Sequence, residues 1–172
     1  MNRKQKGFSL IELLIVVAII LIIAAIAIPN LLRSKMAANQ ASAVGAIRTI
    51  VTSQVTYNST WGVGYGTSLT VLGSPAGGGA CTAAVGQACL LDPVLSAGIK
   101  SGYKFETAAA GGAGTTASPN VTFETDSWPI TVNQTGTDSY CSDQSGVVRF
   151  NTSGAQITDA AGACAAVTGV LQ

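Results

Sequence analysis

The chain has 172 residues, of which 48% are apolar and only 10% are charged. This length suits one domain with an appended segment. Globular domains average about 25% charged residues, so the low charge indicates an unusual apolar segment. Histidine is absent from the sequence, which excludes Ser-His-Asp and Cys-His nucleophilic sites. We therefore expect no enzyme, no catalytic residue and no cofactor.

The basic residues are unevenly distributed. Arg3, Lys4 and Lys6 lie within the first seven positions, whereas residues 36–172 carry four basic and seven acidic side chains. Binding to nucleic acid requires clustered lysines and arginines. The charge pattern therefore predicts no nucleic-acid binding.

An apolar segment follows the basic N-terminus. Residues 13–28 are apolar without interruption, and the segment reaches back to Phe8 with Glu12 as its one charge. As an α-helix, Phe8 to Pro29 would span about 33 Å, enough to cross the hydrocarbon core of a bilayer. The preceding positive charges favour a cytoplasmic N-terminus. A cleaved secretory signal fits less well, because the apolar segment is longer than such signals need and lacks a good cleavage site.

Glu12 is the feature that a plain membrane anchor does not explain. A carboxylate costs about 2.5–3.5 kcal/mol at mid-bilayer, and less near the interface. Either Glu12 lies shallow enough to reach water, or assembly supplies a cation. Cleavage after Gly7 would create an α-amino group on Phe8, one helical turn from Glu12. In a helical array, Glu12 of one copy would then meet the amine of its neighbour.

Residues 6–13, KGFSLIEL, closely resemble the prepilin signature of type IV pilins and of the related pseudopilins of type II secretion. The apolar segment and Pro29 extend this resemblance over about the first sixty residues. The resemblance implies that a prepilin peptidase cleaves after Gly7 and that Phe8 is then N-methylated. It also implies that Glu12 registers the subunit in the growing filament.

The resemblance further implies a structural subunit of a type IV pilus. Such a subunit is a single-pass protein of the inner membrane before assembly. With the pilus assembly machinery it forms a homo-oligomeric helical filament, the surface pilus or fimbrium. The alternatives are a pseudopilin in a periplasmic pseudopilus, and a minor pilin with a binding role. Two disulfides and loops rich in glycine and threonine favour an exposed pilus.

A long helix with two different halves is predicted. We expect Pro29 to kink or end the apolar half. Beyond it, a stripe of apolar residues at spacings of three and four predicts an amphipathic half, namely Ala37, Ala41, Val44, Ile47, Val51 and Val55. The predicted organisation is a leader at 1–7, a transmembrane or filament-core half at 8–33, an amphipathic half at 34–61 and a head at 62–172.

The head is predicted to contain an antiparallel sheet of three to five strands that covers the helix. Alternating segments at 103–107, 121–125 and 147–151 predict strands. Residues 143–146 predict a turn, and residues 108–120 a long exposed loop. The expected fold class is therefore α+β with the architecture of a pilin. Tyr57, Trp61 and Tyr65 are expected to pack beneath the first loop rather than to bind a ligand.

Four cysteines, Cys81, Cys89, Cys141 and Cys164, lie on the side that the topology places outside the cytoplasm. Four cysteines allow three pairings. We favour Cys81–Cys89 and Cys141–Cys164, because each closes a local loop. The C-terminal pair is also similar to the disulfide-bounded loop of many type IV pilins. A zinc site built from all four thiolates is less favoured, because no CxxC motif occurs.

A bound metal is not expected. Asp126, Asp138 and Asp143 could meet around a calcium ion, as in the secretion pseudopilins that this chain resembles. These aspartates match no calcium-loop motif. We therefore interpret them as solvated turn residues.

Overall fold

The computed structural model describes residues 8–75, 79–157 and 162–171. Three helices and six strands lie in these ranges, and they are, in chain order, α1 (Leu10–Trp61), α2 (Leu69–Leu72), α3 (Pro93–Ser96), β1 (Ile99–Lys100), β2 (Tyr103–Ala110), β3 (Thr122–Pro129), β4 (Ser139–Asp143), β5 (Arg149–Asn151) and β6 (Gly169–Val170). The chain divides into two compact units, one ending at Lys35 and the other beginning at Met36. Helix α1 has residues in both units.

Helix α1 is 52 residues long and contains Pro29 in its interior. The helix therefore does not end at Pro29, and a kink there stays a prediction. It ends at Trp61 because Gly62 adopts a φ of 65°, the left-handed conformation that terminates helices. The Gly62 N–H donates to the Asn58 carbonyl at 3.0 Å, which closes the last turn.

The six strands form one antiparallel sheet in which each strand pairs with the next along the chain. The longest ladder joins β2 to β3, from Tyr103 opposite Pro129 to Ala110 opposite Thr122. The α+β fold class is confirmed. The sheet exceeds the predicted three to five strands, because β1 and β6 have two residues each. Strands this short leave no alternating pattern in a sequence.

Several predicted boundaries are wrong. Strand β2 continues through Ala110, so the predicted 108–120 loop begins three residues too early. Strand β5 begins at Arg149 rather than at residue 147. The predicted turn at 143–146 is confirmed, because the Asp143 carbonyl accepts from the Gly146 N–H at 2.9 Å.

The core of the second unit lies between the second half of α1 and the sheet. Ala43, Ile47 and Ile50 are buried on α1 together with Tyr103 and Phe105 of β2. The predicted apolar stripe is displaced around the helix, since Ala37, Ala41 and Val55 are exposed. The buried face includes polar side chains, Ser53 and Gln54, which a search for apolar periodicity does not select.

Candidate functional site

The N-terminal end of α1 is built by a capping interaction. Glu12 Oε2 accepts a hydrogen bond from the Ser9 backbone N–H at 3.0 Å, one residue before the helix begins. A glutamate three residues after an N-terminal serine is the capping-box pattern, which satisfies an otherwise orphaned N–H group. The spacing of Ser9 and Glu12 was a visible signal for this contact, but the sequence analysis assigned Glu12 only an intersubunit role.

The predicted processing site lies at the edge of the described residues. Gly7 lies outside them. Phe8 precedes the helix, and 79% of its surface is exposed. Phe8 and Ser9 are thus the non-helical residues that separate α1 from the predicted cleavage position.

An apolar surface surrounds the first half of α1. Every large apolar side chain from Phe8 to Leu32 is at least 46% exposed, seventeen side chains in all. Burying a side chain of this kind contributes about 1.5–3 kcal/mol, so this surface represents roughly 25–50 kcal/mol of unrealised burial. Whole domains are stable by only about 5–15 kcal/mol. A lipid or protein environment must therefore cover this surface.

Helix α1 is long and apolar enough to cross a membrane by length and composition. Pro29 lies within it, near the end of the apolar segment. Arg33 and Lys35 follow immediately, and both are exposed. An apolar helix followed directly by exposed basic residues is typical of a membrane-spanning segment that ends at the membrane–water interface.

The head contains two disulfides, Cys81–Cys89 and Cys141–Cys164, the pairing that the sequence analysis favours. All four cysteines are paired, and no free thiol is left. The two bonds differ in environment. Cys141 and Cys164 are buried and pack with Ile157, whereas Cys81 and Cys89 are partly exposed.

Carboxylates on one face of the sheet hold the C-terminal segment. Glu124 of β3 accepts hydrogen bonds from the Gly162 and Cys164 backbone N–H groups, at 2.6 and 3.3 Å. Glu106 of β2 accepts from the Gln156 side chain at 3.0 Å. These contacts and the Cys141–Cys164 disulfide attach Gln156, Gly162 and Cys164 to the sheet. The sequence analysis missed them because the partners are 38 to 50 residues apart.

The three aspartates weighed as calcium ligands have separate local roles. Asp143 accepts from the Ser145 N–H at 2.8 Å within the turn. Asp138 accepts from the Thr137 hydroxyl at 3.1 Å. Asp126 is buried on β3 and Asp143 is buried at the end of β4, so the interpretation of these two aspartates as solvated turn residues is wrong. Within residues 8–75, 79–157 and 162–171, no three His, Cys, Asp or Glu side chains are grouped so that they could hold a metal ion.

A capped helix with an exposed apolar first half, followed by a disulfide-bonded α+β head, is the organisation expected of a prepilin-type subunit. The family model for the prokaryotic N-terminal methylation motif matches residues 2–28. The resemblance of the N-terminal segment to type IV prepilins is thereby confirmed.

Two curated relatives each match about a third of the chain. Type IV major pilin protein PilA of Myxococcus xanthus is 45% identical over 58 residues, which are 34% of this chain and 26% of that protein. Type IV wide pilus major component PilA4 of Thermus thermophilus is 49% identical over 55 residues, 32% of this chain and 42% of that protein. The matches thus span well under half the length of either relative. No solved structure matches the chain.

Proposed function

We propose that this chain is a structural subunit of a type IV pilus filament. The observation that carries the proposal is the apolar surface of residues 8–32, whose large side chains are all at least 46% exposed and which overlaps the methylation-motif match. Both curated relatives bear the names of major pilus components. A filament of identical copies would cover this surface after the chain leaves the bilayer.

Maturation is proposed to remove residues 1–7 by cleavage between Gly7 and Phe8 and to methylate the new Phe8 amine. A prepilin peptidase would perform these steps. Phe8 and Ser9 lie outside α1, which favours this position, because a protease binds an extended backbone more readily than a helix.

Glu12 is proposed to guide assembly. Its carboxylate lies in the first turn of α1, one turn from the Phe8 backbone. In an apolar filament core a lone carboxylate is costly, and a neighbouring α-amino group would offset that cost. Register between subunits would then depend on this ion pair.

We propose a separate role for each of four segments of the chain. Residues 1–7 serve as leader, 8–33 as transmembrane and then filament-core half, 34–61 as amphipathic half and 62–172 as head. Before assembly the chain would be a single-pass protein of the inner membrane. With the pilus assembly machinery it would become a homo-oligomeric filament at the cell surface.

The proposal is tested by replacing Glu12 with leucine in cells that lack the native copy. We expect the E12L chain to accumulate in the membrane and to be absent from filaments sheared off the cells. The matched control is Leu14→Ile, which changes a neighbouring exposed side chain without changing charge. Equal amounts of sheared filament from E12L and the native chain would refute the role of Glu12.

The same fractionation distinguishes the alternative functions. A pseudopilin would be found in the envelope, and a minor pilin would be found in filaments as a small fraction of their protein. The first result would replace the pilus-subunit proposal with the pseudopilin, and the second would favour the minor pilin with a binding role.

A further inference from the structure

A cavity of about 250 Å³ lies in the head. Its walls come from the last turns of α1, the segment at residues 63–71, the Cys81–Cys89 loop and the loop between β2 and β3. The residues that shape it include Tyr57, Tyr65, Thr67, Val71, Val85 and Asn120. Four separate parts of the chain therefore converge on one space.

Hydrogen bonds between these segments fix the walls. Asn120 bonds the 63–65 segment three times: its N–H donates to the Val63 carbonyl, its carbonyl accepts from the Tyr65 N–H, and its side-chain amide donates to the Tyr65 carbonyl, at 3.1, 3.1 and 3.0 Å. The Tyr57 hydroxyl donates to the Val85 carbonyl at 2.7 Å. A pocket whose walls are already ordered loses little entropy when it binds a ligand.

The chemistry of the lining selects a neutral ligand. None of the described residues that line the cavity is charged, so they offer no counter-ion to a phosphate, a carboxylate or a cation. Two polar groups at the cavity, the Tyr65 and Thr67 hydroxyls, make no hydrogen bond within the part of the chain that the structure describes. They remain available to a hydroxylated ligand.

Size and aromatic content narrow the ligand class. Pockets for drug-sized ligands are usually about 300–1,000 Å³, so this cavity suits a single small ring. Tyr57 is only 3% exposed and its hydroxyl is bonded to Val85, so the half-buried Tyr65 is the tyrosine that can offer an apolar ring and a polar hydroxyl to a ligand. A sugar ring carries C–H faces and hydroxyl edges, which match these two properties.

We propose that this cavity binds a neutral pyranose. The sugar is either free or the terminal unit of a polysaccharide, and both present the same hydroxyls and ring faces. The proposal is independent of filament assembly, because every wall lies between Tyr57 and Asn120.

The test is a titration of the ¹⁵N-labelled full chain in a detergent without a sugar head group, such as dodecylphosphocholine. The probes are methyl α-glucopyranoside, methyl β-galactopyranoside and methyl α-mannopyranoside, each to about 50 mM, a range that detects millimolar dissociation constants. We expect saturable shifts of the Asn120 side-chain amide and of the Tyr65 and Thr67 backbone amides with at least one probe.

A shape-conserving variant makes the test specific. Thr67→Val removes a hydroxyl from the cavity and should weaken binding about 3- to 10-fold. The matched control Thr116→Val changes an exposed threonine outside the lining residues and should leave the Kd unchanged. If Thr67→Val does not fold, Tyr65→Phe removes the other hydroxyl and should weaken binding similarly.

If the glucoside binds, the source of the sugar is distinguished with short dextran oligosaccharides at the same concentration of terminal glucose units as the glucoside. Shifts with both point to a chain-borne sugar, and shifts with the glucoside alone to a free one. The proposal is overturned if no probe gives saturable shifts at these amides. It is also overturned if neither hydroxyl variant changes the Kd.

Discussion

Replacing Gln54 with leucine tests how the head is held to α1. Gln54 is completely buried, and its side chain makes three hydrogen bonds. It accepts from the Gly66 N–H at 2.7 Å and donates to the Gly66 carbonyl at 2.9 Å and to the Thr107 hydroxyl at 3.1 Å. One side chain thus joins the helix, the first loop and strand β2.

The expected loss of stability follows from the groups that leucine would leave unpaired. Both backbone groups of Gly66 would lose their partners, whereas the Thr107 hydroxyl would keep its bond to the Glu124 carbonyl. Each buried orphan costs about 1–3 kcal/mol. Burial of the leucine offsets about 1–2 kcal/mol of this. The net loss should be about 2–4 kcal/mol, or a fall in Tm of about 8–15 °C for a unit of this size.

The assay is thermal unfolding of the full chain in detergent, followed by near-ultraviolet circular dichroism of the tyrosines and tryptophans in the head. Gln40→Leu is the matched control, because Gln40 is only partly buried and both side chains that it bonds, Thr137 and Tyr103, keep another hydrogen bond, to Asp138. It should cost less than about 1 kcal/mol. Gln54→Glu should be strongly destabilised at neutral pH and recover partly in acid, when the carboxyl is protonated. Unchanged stability of Gln54→Leu would refute the reasoning.

Three further predictions concern the head. Gly64→Ala should destabilise the head by more than about 2 kcal/mol in urea titrations, because the added Cβ would collide with the Asn120 backbone at a φ of 87°. Gly45→Ala, where the space is open, should instead stabilise α1 by about 0.5–1 kcal/mol. Equal effects of the two substitutions would contradict both predictions. Mild reductant should open the partly exposed Cys81–Cys89 bond before the buried Cys141–Cys164 bond. Peptide mapping of alkylated thiols would detect this order. The reverse order would contradict the difference in exposure between the two disulfides. Burial, with a smaller contribution from the Asp138 carboxylate, raises the pKa of Tyr140 to about 12. The contribution of Tyr140 to stability is therefore complete below pH 10 and is lost as the pH rises to 12. Tyr140→Phe should flatten this alkaline fall in the free energy of unfolding, and an unchanged slope would exclude Tyr140 as its source.

Features with a local origin could be predicted from the sequence. The apolar segment predicts the first half of α1, and Gly62 marks the end of the whole helix. Alternating residues around Tyr103 and Phe123 indicate the two longest strands. The short loops between paired cysteines favour the pairing that the structure contains. In each case the determining residues lie within about one element of each other.

Features with a long-range origin could not be predicted. From the sequence, Gln54 is only a polar residue within an amphipathic helix. Its burial depends on Thr107, a hydrogen-bond partner 53 residues away. Glu124 reads as an outward strand residue until the C-terminal segment packs against it. The sugar-sized cavity depends on the hydrogen bonds between Asn120 and the 63–65 segment, and no pattern in the sequence predicts those bonds.

The most direct test of the central claim is the intact mass of this chain from filaments sheared off cells. We expect a mass equal to that of residues 8–172 plus one CH2 unit, because the N-methyl group replaces a hydrogen, and minus four hydrogens for the two disulfides. Such a mass would report cleavage after Gly7, methylation and both disulfides in assembled material. A chain that still begins at Met1, found only in the membrane, would contradict the filament function.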